Sequence, residues 1–421
     1  MKFCYSFLLV LFLSVMSFGQ TTTSYILKAK YIFNGEQFIT NKAIVVKNNI
    51  ISDIIPLSKI SNIQNATILD YPNHTLMPGM IEGHSHILLH PYNETSWTDQ
   101  VLKESIAERS IRAGNHVKAS LMAGFTTMRD LGAEGAGYAD VGIRQSIEKG
   151  VISGPRMLVA GPAIVVTGSY GPKGFADHVK VPLGANEADG IDGLTKEVRT
   201  QIGNGVDVIK VYADYRWGPF GQAMPTFTID ELKLIVKVSS SSGRQVVAHA
   251  ATAEGMRRAT MAGVSTIEHG DAGTAEVFKL MKEKNVALCP TLAAGDAILQ
   301  YRGWKKGTDP EPERIRNKKN TFALALQSGV KILAGGDVGV FSHGDNVKEL
   351  EMMVDYGMNE KAVLENITAG NAVILGLNDR LGRIQKGLLA DIIAVKGNPI
   401  DNISHLRKVE FVMKDGIIYK K

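Results

Sequence analysis

Met80-Ile-Glu-Gly-His-Ser-His86 is a short apolar run that closes on two histidines. Side chains alternate along a strand, so His84 and His86 face one way and Ser85 the other. Seven further runs of similar make follow: 125–129, 156–160, 206–212, 245–249, 265–269, 286–289 and 330–334. Amphipathic helical segments lie between them, among them 105–123, 228–240, 253–261 and 274–284. Several stop at a glycine just before the next strand (Gly124, Gly205, Gly243, Gly263, Gly329), where a left-handed cap is wanted. Eight strand-then-helix units in series predict a (β/α)8 TIM barrel over 79–378. An open doubly wound sheet fits less well, because no phosphate-type Gly-rich loop follows the first strand. The long Gly- and Pro-rich connection 161–192 is expected to serve as an active-site loop.

The flanks read differently. Strand patterns at 25–33, 43–46, 49–55 and 66–70 are separated by turn chemistry at Asn34-Gly35 and Asn48-Asn49. The C-terminus repeats the pattern at 390–395, 409–413 and 416–419. Both ends are therefore expected to meet in one small β-sandwich, built from 20–78 and 379–421.

Composition is that of an ordinary globular chain: 421 residues, 44% hydrophobic, 21% charged, with a formal charge of +5. No Lys/Arg stripe of the kind nucleic acid requires is present; Lys318-Lys319 reads as a solvated helix face. Residues 1–19 combine Lys2, an apolar run from Phe7 to Phe18 and the small residues Ser17 and Gly19, the pattern of a cleaved signal peptide. That run is too short for a bilayer anchor, so a secreted or periplasmic protein without stable membrane insertion is expected. Cys4 lies in this leader, which leaves Cys289 alone in the mature chain and excludes an internal disulfide.

Polar residues recur at the strand ends. His249 ends the fifth strand, His269 the sixth, and Asp337 follows the eighth in Ala334-Gly-Gly-Asp337. Alternation places Val247 with His249 and Ile267 with His269 on shared faces. One His-x-His pair could be core filling; five such placements point to metal ligation at a barrel mouth. In Val206-Asp-Val-Ile-Lys-Val-Tyr212, Val208, Lys210 and Tyr212 share the inward face. Burial favours the neutral amine of Lys210, which can take up carbon dioxide as a carbamate bridging two metal ions. A buried carboxylate partner is the alternative for that lysine.

These motifs resemble the amidohydrolase superfamily, in its imidazolonepropionase-like and Xaa-Pro dipeptidase-like branch. Met77-Pro-Gly-Met-Ile-Glu-Gly-His-Ser-His86 resembles its first-strand signature. The Lys210 strand, Ala248-His-Ala250, Ile267-Glu-His-Gly270 and Gly336-Asp337 match in order, and 379–391 resembles the return to the β-domain. The resemblance implies that His84, His86 and Asp337 hold one divalent metal and His249 and His269 the other, with carboxylated Lys210 between them. Imidazolonepropionase is mononuclear and lacks the carboxylated lysine, so Lys210 favours a binuclear relative. Zinc is the default metal for such a site. The resemblance also implies attack on an amide or peptide bond by a metal-bound hydroxide, with Asp337 as acid and base. A dipeptide or N-acyl amino acid is the favoured substrate; a cyclic amide, lactone or deaminase-type substrate is the alternative. A metal-binding protein without turnover would have lost Asp337 or Lys210, and both are present.

Substrate contacts are expected from Tyr212, from Tyr170 and His178 in the long loop, from Arg216 after the fourth strand and from His343 after the eighth. Each has a plainer reading, Tyr212 as a cap on the barrel core and the others as loop surface. Arg216 would suit a substrate carboxylate. His90 reads as a supporting or exposed residue and His116 as structural. The partner implied is a small molecule or dipeptide, not nucleic acid, with a homo-oligomer left open.

Overall fold

The computed structural model describes residues 24–421; the expected leader at 1–19, with Cys4, lies outside the described residues. Strands β1 (Ser24–Phe33), β2 (Phe38–Ile39), β3 (Lys42–Lys47), β4 (Ile50–Pro56) and β5 (Thr67–Pro78) open the described chain. After them come β6 (Met80–Ser85), β7 (Phe125–Asp130), β8 (Arg156–Val159), β9 (Ile164–Val165) and β10 (Asn186–Glu187). Next are β11 (Val208–Tyr212), β12 (Asp214–Arg216), β13 (Ala223–Pro225), β14 (Gln245–Ala250), β15 (Thr266–His269) and β16 (Ala287–Cys289). The C-terminal strands are β17 (Ile392–Lys396), β18 (Val409–Lys414) and β19 (Ile417–Lys420).

Both ends of the described chain share one eight-stranded sheet, ordered β19-β18-β17-β5-β1-β3-β4 with β2 on β1. The joint is β5, parallel to β1 on one side and antiparallel to β17 on the other. Alternating residues of these strands, among them Leu27, Ile44, Leu76, Ile392 and Phe411, bury a core of their own. Hydrogen bonding runs in one continuous path through these strands.

The middle of the chain is mixed α/β. Strands β6-β7-β8 form one parallel sheet and β10-β9-β11-β14-β15-β16 a second. The helices between them start and stop on local signals. Ser105 caps Ile106–Met122 by accepting from the Glu108 N–H, and Thr228 and Glu231 form a reciprocal capping box on Ile229–Ser240. The helix Ala253–Ala262 ends at Gly263 (φ 91) and Glu313–Ser328 at Gly329 (φ 67), as glycine there permits. Their apolar faces (Val117, Leu121, Leu232, Ile235, Met256) pack on the strands in one continuous core.

The expected eighth strand, 330–334, is corrected. Ile332 alone bridges Leu288, and toward the first strand the Gly83 N–H meets the Ala334 carbonyl (3.0 Å) ahead of the bridge Ser85–Val338. Asn371 explains the break: its side chain takes the Ala334 N–H (2.9 Å) and donates to the carbonyls of Ala334 (2.8 Å) and Ile81 (2.7 Å). A side-chain amide thus occupies the Ala334 N–H, while the Ala334 carbonyl still accepts from the Gly83 N–H. Gly335 is needed because a Cβ at that position would lie 2.6 Å from the His84 nitrogen. Among the described residues, no helix is long and apolar enough to cross a membrane.

Candidate active site

The ends of β6, β7, β11, β14 and β15 converge with the segment after Ile332. His84, wholly buried near the end of β6, has Nδ1 2.8 Å from Glu268 Oε2. The other oxygen of Glu268 accepts from Arg129 (2.9 Å) and from Thr266. Arg129 in turn donates to the Gly83 carbonyl at 2.7 Å, so the His84 ring is held from two strands. His86, two residues on, donates through Nδ1 to the Gly132 carbonyl (3.1 Å).

Each ring therefore presents Nε2 to one point, where Asp337 Oδ1 lies 3.7 Å from His84 and 3.4 Å from His86. Asp337 reaches it on a left-handed backbone (φ 62), with its N–H on the His84 carbonyl at 2.9 Å. His84 Nε2 and Asp337 Oδ1 are buried without any hydrogen-bond partner, although such groups are almost always paired. The donor atoms of His84, His86 and Asp337 all fall within 4.8 Å of one another. Burial pushes His84 well below the usual imidazole range, with the Lys210 charge adding to the effect, so the ring offers lone pairs. Two orphaned atoms in a set of two imidazoles and a carboxylate fit a divalent cation.

Lys210 is fully buried, and burial lowers its pKa. Its Nζ lies 5.5 Å from the Tyr212 ring centre; among the described residues it has no carboxylate ion-pair partner, the alternative considered from sequence. Strand pairing sets Tyr212 opposite His249, and the rings stack at 4.5 Å and 15°. His249 contacts His269 edge-on at 4.5 Å, and His269 lies 5.2 Å from His84. Burial pushes His249 down to about 3.

The facing of β15 is corrected. Alternation was expected to put Ile267 and His269 on the inner face. Instead Thr266 and Glu268 face His84 and Arg129, while Ile267 packs in the helix-covered core. His269 reaches the cavity because its backbone turns left-handed (φ 75), which breaks the alternation at the last residue. Thr291 then holds its Nδ1 at 2.8 Å.

A cavity of about 610 Å³ opens above these residues, lined by His86, His249, His269 and Asp337 and by Tyr92, Tyr170, Tyr212 and Tyr215. Tyr170 and Tyr212, both expected to contact substrate, line this cavity, and Tyr170 also donates to Glu134 at 2.8 Å. Three other expected contacts lie elsewhere. His178 is 81% exposed beside Asp177, because the long loop carries it out to solvent. His343 stacks on His116 at 4.4 Å and donates to the Leu89 carbonyl, holding the loop after the first strand. Arg216 lines an adjoining compartment instead of this one. Lys318, read as part of a solvated face, is largely buried; it lines the cavity and donates to Asp271 and to the His269 carbonyl. His90 is buried between Glu94 and Glu104, and His116 donates to the Ile87 carbonyl.

Sequence reading missed Glu268, Arg129 and Glu134. Glu134 stands in Asp130-Leu-Gly-Ala-Glu-Gly135 just past β7, so the strand-end rule that found the histidines covers it too. It takes Trp97 Nε1 at 2.9 Å and lies 3.9 Å from His86 Nδ1.

A model of the amidohydrolase family matches residues 75–420. Ochratoxinase of Aspergillus niger is 26% identical over 423 aligned residues, covering 91% of this chain and 83% of that protein. Among solved structures, a Xaa-Pro dipeptidase with methionine bound in its active site is 32% identical with a TM-score of 0.82, over 95% of this chain and 100% of the other. A prolidase complexed with N-methylphosphonate-L-proline is 25% identical with a TM-score of 0.81, over 95% and 100% of the two chains.

Proposed function

The chain belongs to the amidohydrolase family as a hydrolase of carbon–nitrogen bonds, and from that premise we propose that it cleaves the amide of a dipeptide or N-acyl amino acid at a binuclear metal centre. The observation that carries the proposal is the pair of orphaned atoms, His84 Nε2 and Asp337 Oδ1, facing one another at the floor of an aromatic cavity. His84, His86 and Asp337 would hold one metal, His249 and His269 the other, and Lys210, carboxylated by carbon dioxide with loss of a proton, would lie between them. Divalent ions in that site, by default zinc, supply an acidified water and a Lewis acid for the substrate carbonyl.

The chain's own residues do the rest. Asp337, with a carboxyl raised by burial, moves a proton between water and the departing amine. Burial keeps the Tyr212 phenol well above its usual range, so it remains a hydrogen-bond donor to the carbonyl oxygen. Tyr170 and Tyr215, packed on each other with ring centres 4.9 Å apart, form one apolar wall for the substrate.

A (β/α)8 barrel is part of the proposal. It is supported by the backbone bond from Asp207 N–H to the Val159 carbonyl (2.8 Å) and by the bridges at Ile332 and Val338, which link the two parallel sheets at both margins. The leader motif supports secretion or export to a periplasm with Gln20 as the mature N-terminus, which N-terminal sequencing of the exported protein checks.

The Xaa-Pro dipeptidase and prolidase likenesses favour a substrate with a free carboxylate beside the scissile amide. The test is a panel of dipeptides and N-acyl amino acids run beside lactams and lactones. Turnover is expected for the open-chain amides. Turnover confined to the cyclic compounds would overturn the substrate assignment.

A further inference from the structure

The cavity over the strand ends is not a single chamber. A second compartment of about 470 Å³ adjoins it and shares Tyr92, Tyr170, Tyr215 and Ile298 with it. Trp97 and Tyr301 add aromatic wall, and Arg216 and Arg302 stand at its edge. Arg216 closes strand β12, and Arg302 follows the last turn of helix Leu292–Tyr301, so two separate elements deliver the guanidinium groups to one place.

The charges there do not cancel. Among the described residues, neither guanidinium has an ion-pair partner, while the nearby carboxylates are engaged elsewhere. Glu134 takes Trp97 Nε1 and Tyr170 Oη, Glu94 faces His90 at 3.1 Å, and Asp345 pairs with Arg407. Two free guanidinium forks beside aromatic rings packed edge-on and tilted (Trp97, Tyr170, Tyr215) suit a flat or apolar group that ends in a carboxylate.

We propose that this compartment is a second substrate subsite, which receives the portion of the substrate distal to the scissile amide and selects for an acidic group on it. The proposal rests on the amide-hydrolase reading for its orientation, and its test needs no hydrolysis. The probes are 3-benzoylpropionate, which has an aromatic ring and a carboxylate but no amide, and butyrophenone, its uncharged analogue. Calorimetry on the metal-loaded protein is expected to show the acid binding about tenfold more tightly or better. The Arg216→Gln/Arg302→Gln protein should lose most of that ratio, and Arg302→Glu should reverse it. Both side chains are exposed, so folding is checked by the melting temperature of each variant. Equal binding of the two probes by the unmodified protein, or a ratio unchanged in the double variant, overturns the subsite. Absence of amide turnover with the binding ratio intact would instead overturn the proposed reaction and leave the subsite standing.

Discussion

Glu268 Oε2 lies 2.8 Å from His84 Nδ1 with both side chains wholly buried, and this contact sets which nitrogen the histidine turns toward the cavity. A carboxylate at Nδ1 accepts a hydrogen bond from Nδ1–H and so keeps the ring proton there, which leaves the lone pair on Nε2, the atom without a partner. Replacing Glu268 with Gln keeps the shape and removes the charge. Glu268→Gln is expected to weaken metal binding by about 10–100-fold, read by chelator competition. Metal affinity equal to that of the unmodified protein would show that the contact is only packing.

Lys210 gives a second prediction, because a buried ammonium without a carboxylate partner is costly unless it is neutral or modified. Lys210→Ala should bind fewer metal ions per chain and lose at least about a hundredfold in turnover. Added acetate or propionate should restore part of both by standing where the carbamate would. Full metal loading in Lys210→Ala contradicts the bridging role.

Asp337→Asn separates ligation from proton transfer. The amide keeps an oxygen for Oδ1 but cannot take up a proton. Metal content should hold while kcat falls by about 10²–10⁴ with little change in KM. Near-normal kcat would remove Asp337 from proton transfer.

Much of this centre is legible in the sequence, and the exceptions share a cause. His84, His86, Lys210 and His249 follow strand alternation, which needs only local residue order. His269 does not: Thr266 and Glu268 hold the inward positions of β15, and a left-handed backbone at its last residue turns His269 to the cavity as well. The shortness of the eighth ladder depends on Asn371, 37 residues beyond Ala334, and no local pattern announces such a contact. His343 failed for a similar reason: its stacking on His116 joins two segments that are distant in the chain. Arg216 is read from sequence as a contact for a substrate carboxylate or as loop surface, and the course of the β12–β13 hairpin decides which compartment it lines.

The N- and C-terminal sheet is tied to the strands that carry the site through Arg156, which meets Asp391 and Asp415 at 2.6 Å each. Asp391 is 4% exposed at its side chain, so removal of the guanidinium strands a buried charge. Arg156→Ala should destabilise the protein by about 3 kcal/mol, seen as a lower urea midpoint with an unchanged slope. A midpoint equal to that of the unmodified protein would make the pair dispensable.

A binuclear centre built on His84, His86, Lys210, His249, His269 and Asp337 is open to direct metal analysis. The protein is stripped with chelator, reconstituted with zinc in the presence of bicarbonate, freed of loose metal and measured by mass spectrometry. About two ions per chain are expected, falling to about one when bicarbonate is withheld. One ion or fewer per chain under full reconstitution would contradict the account.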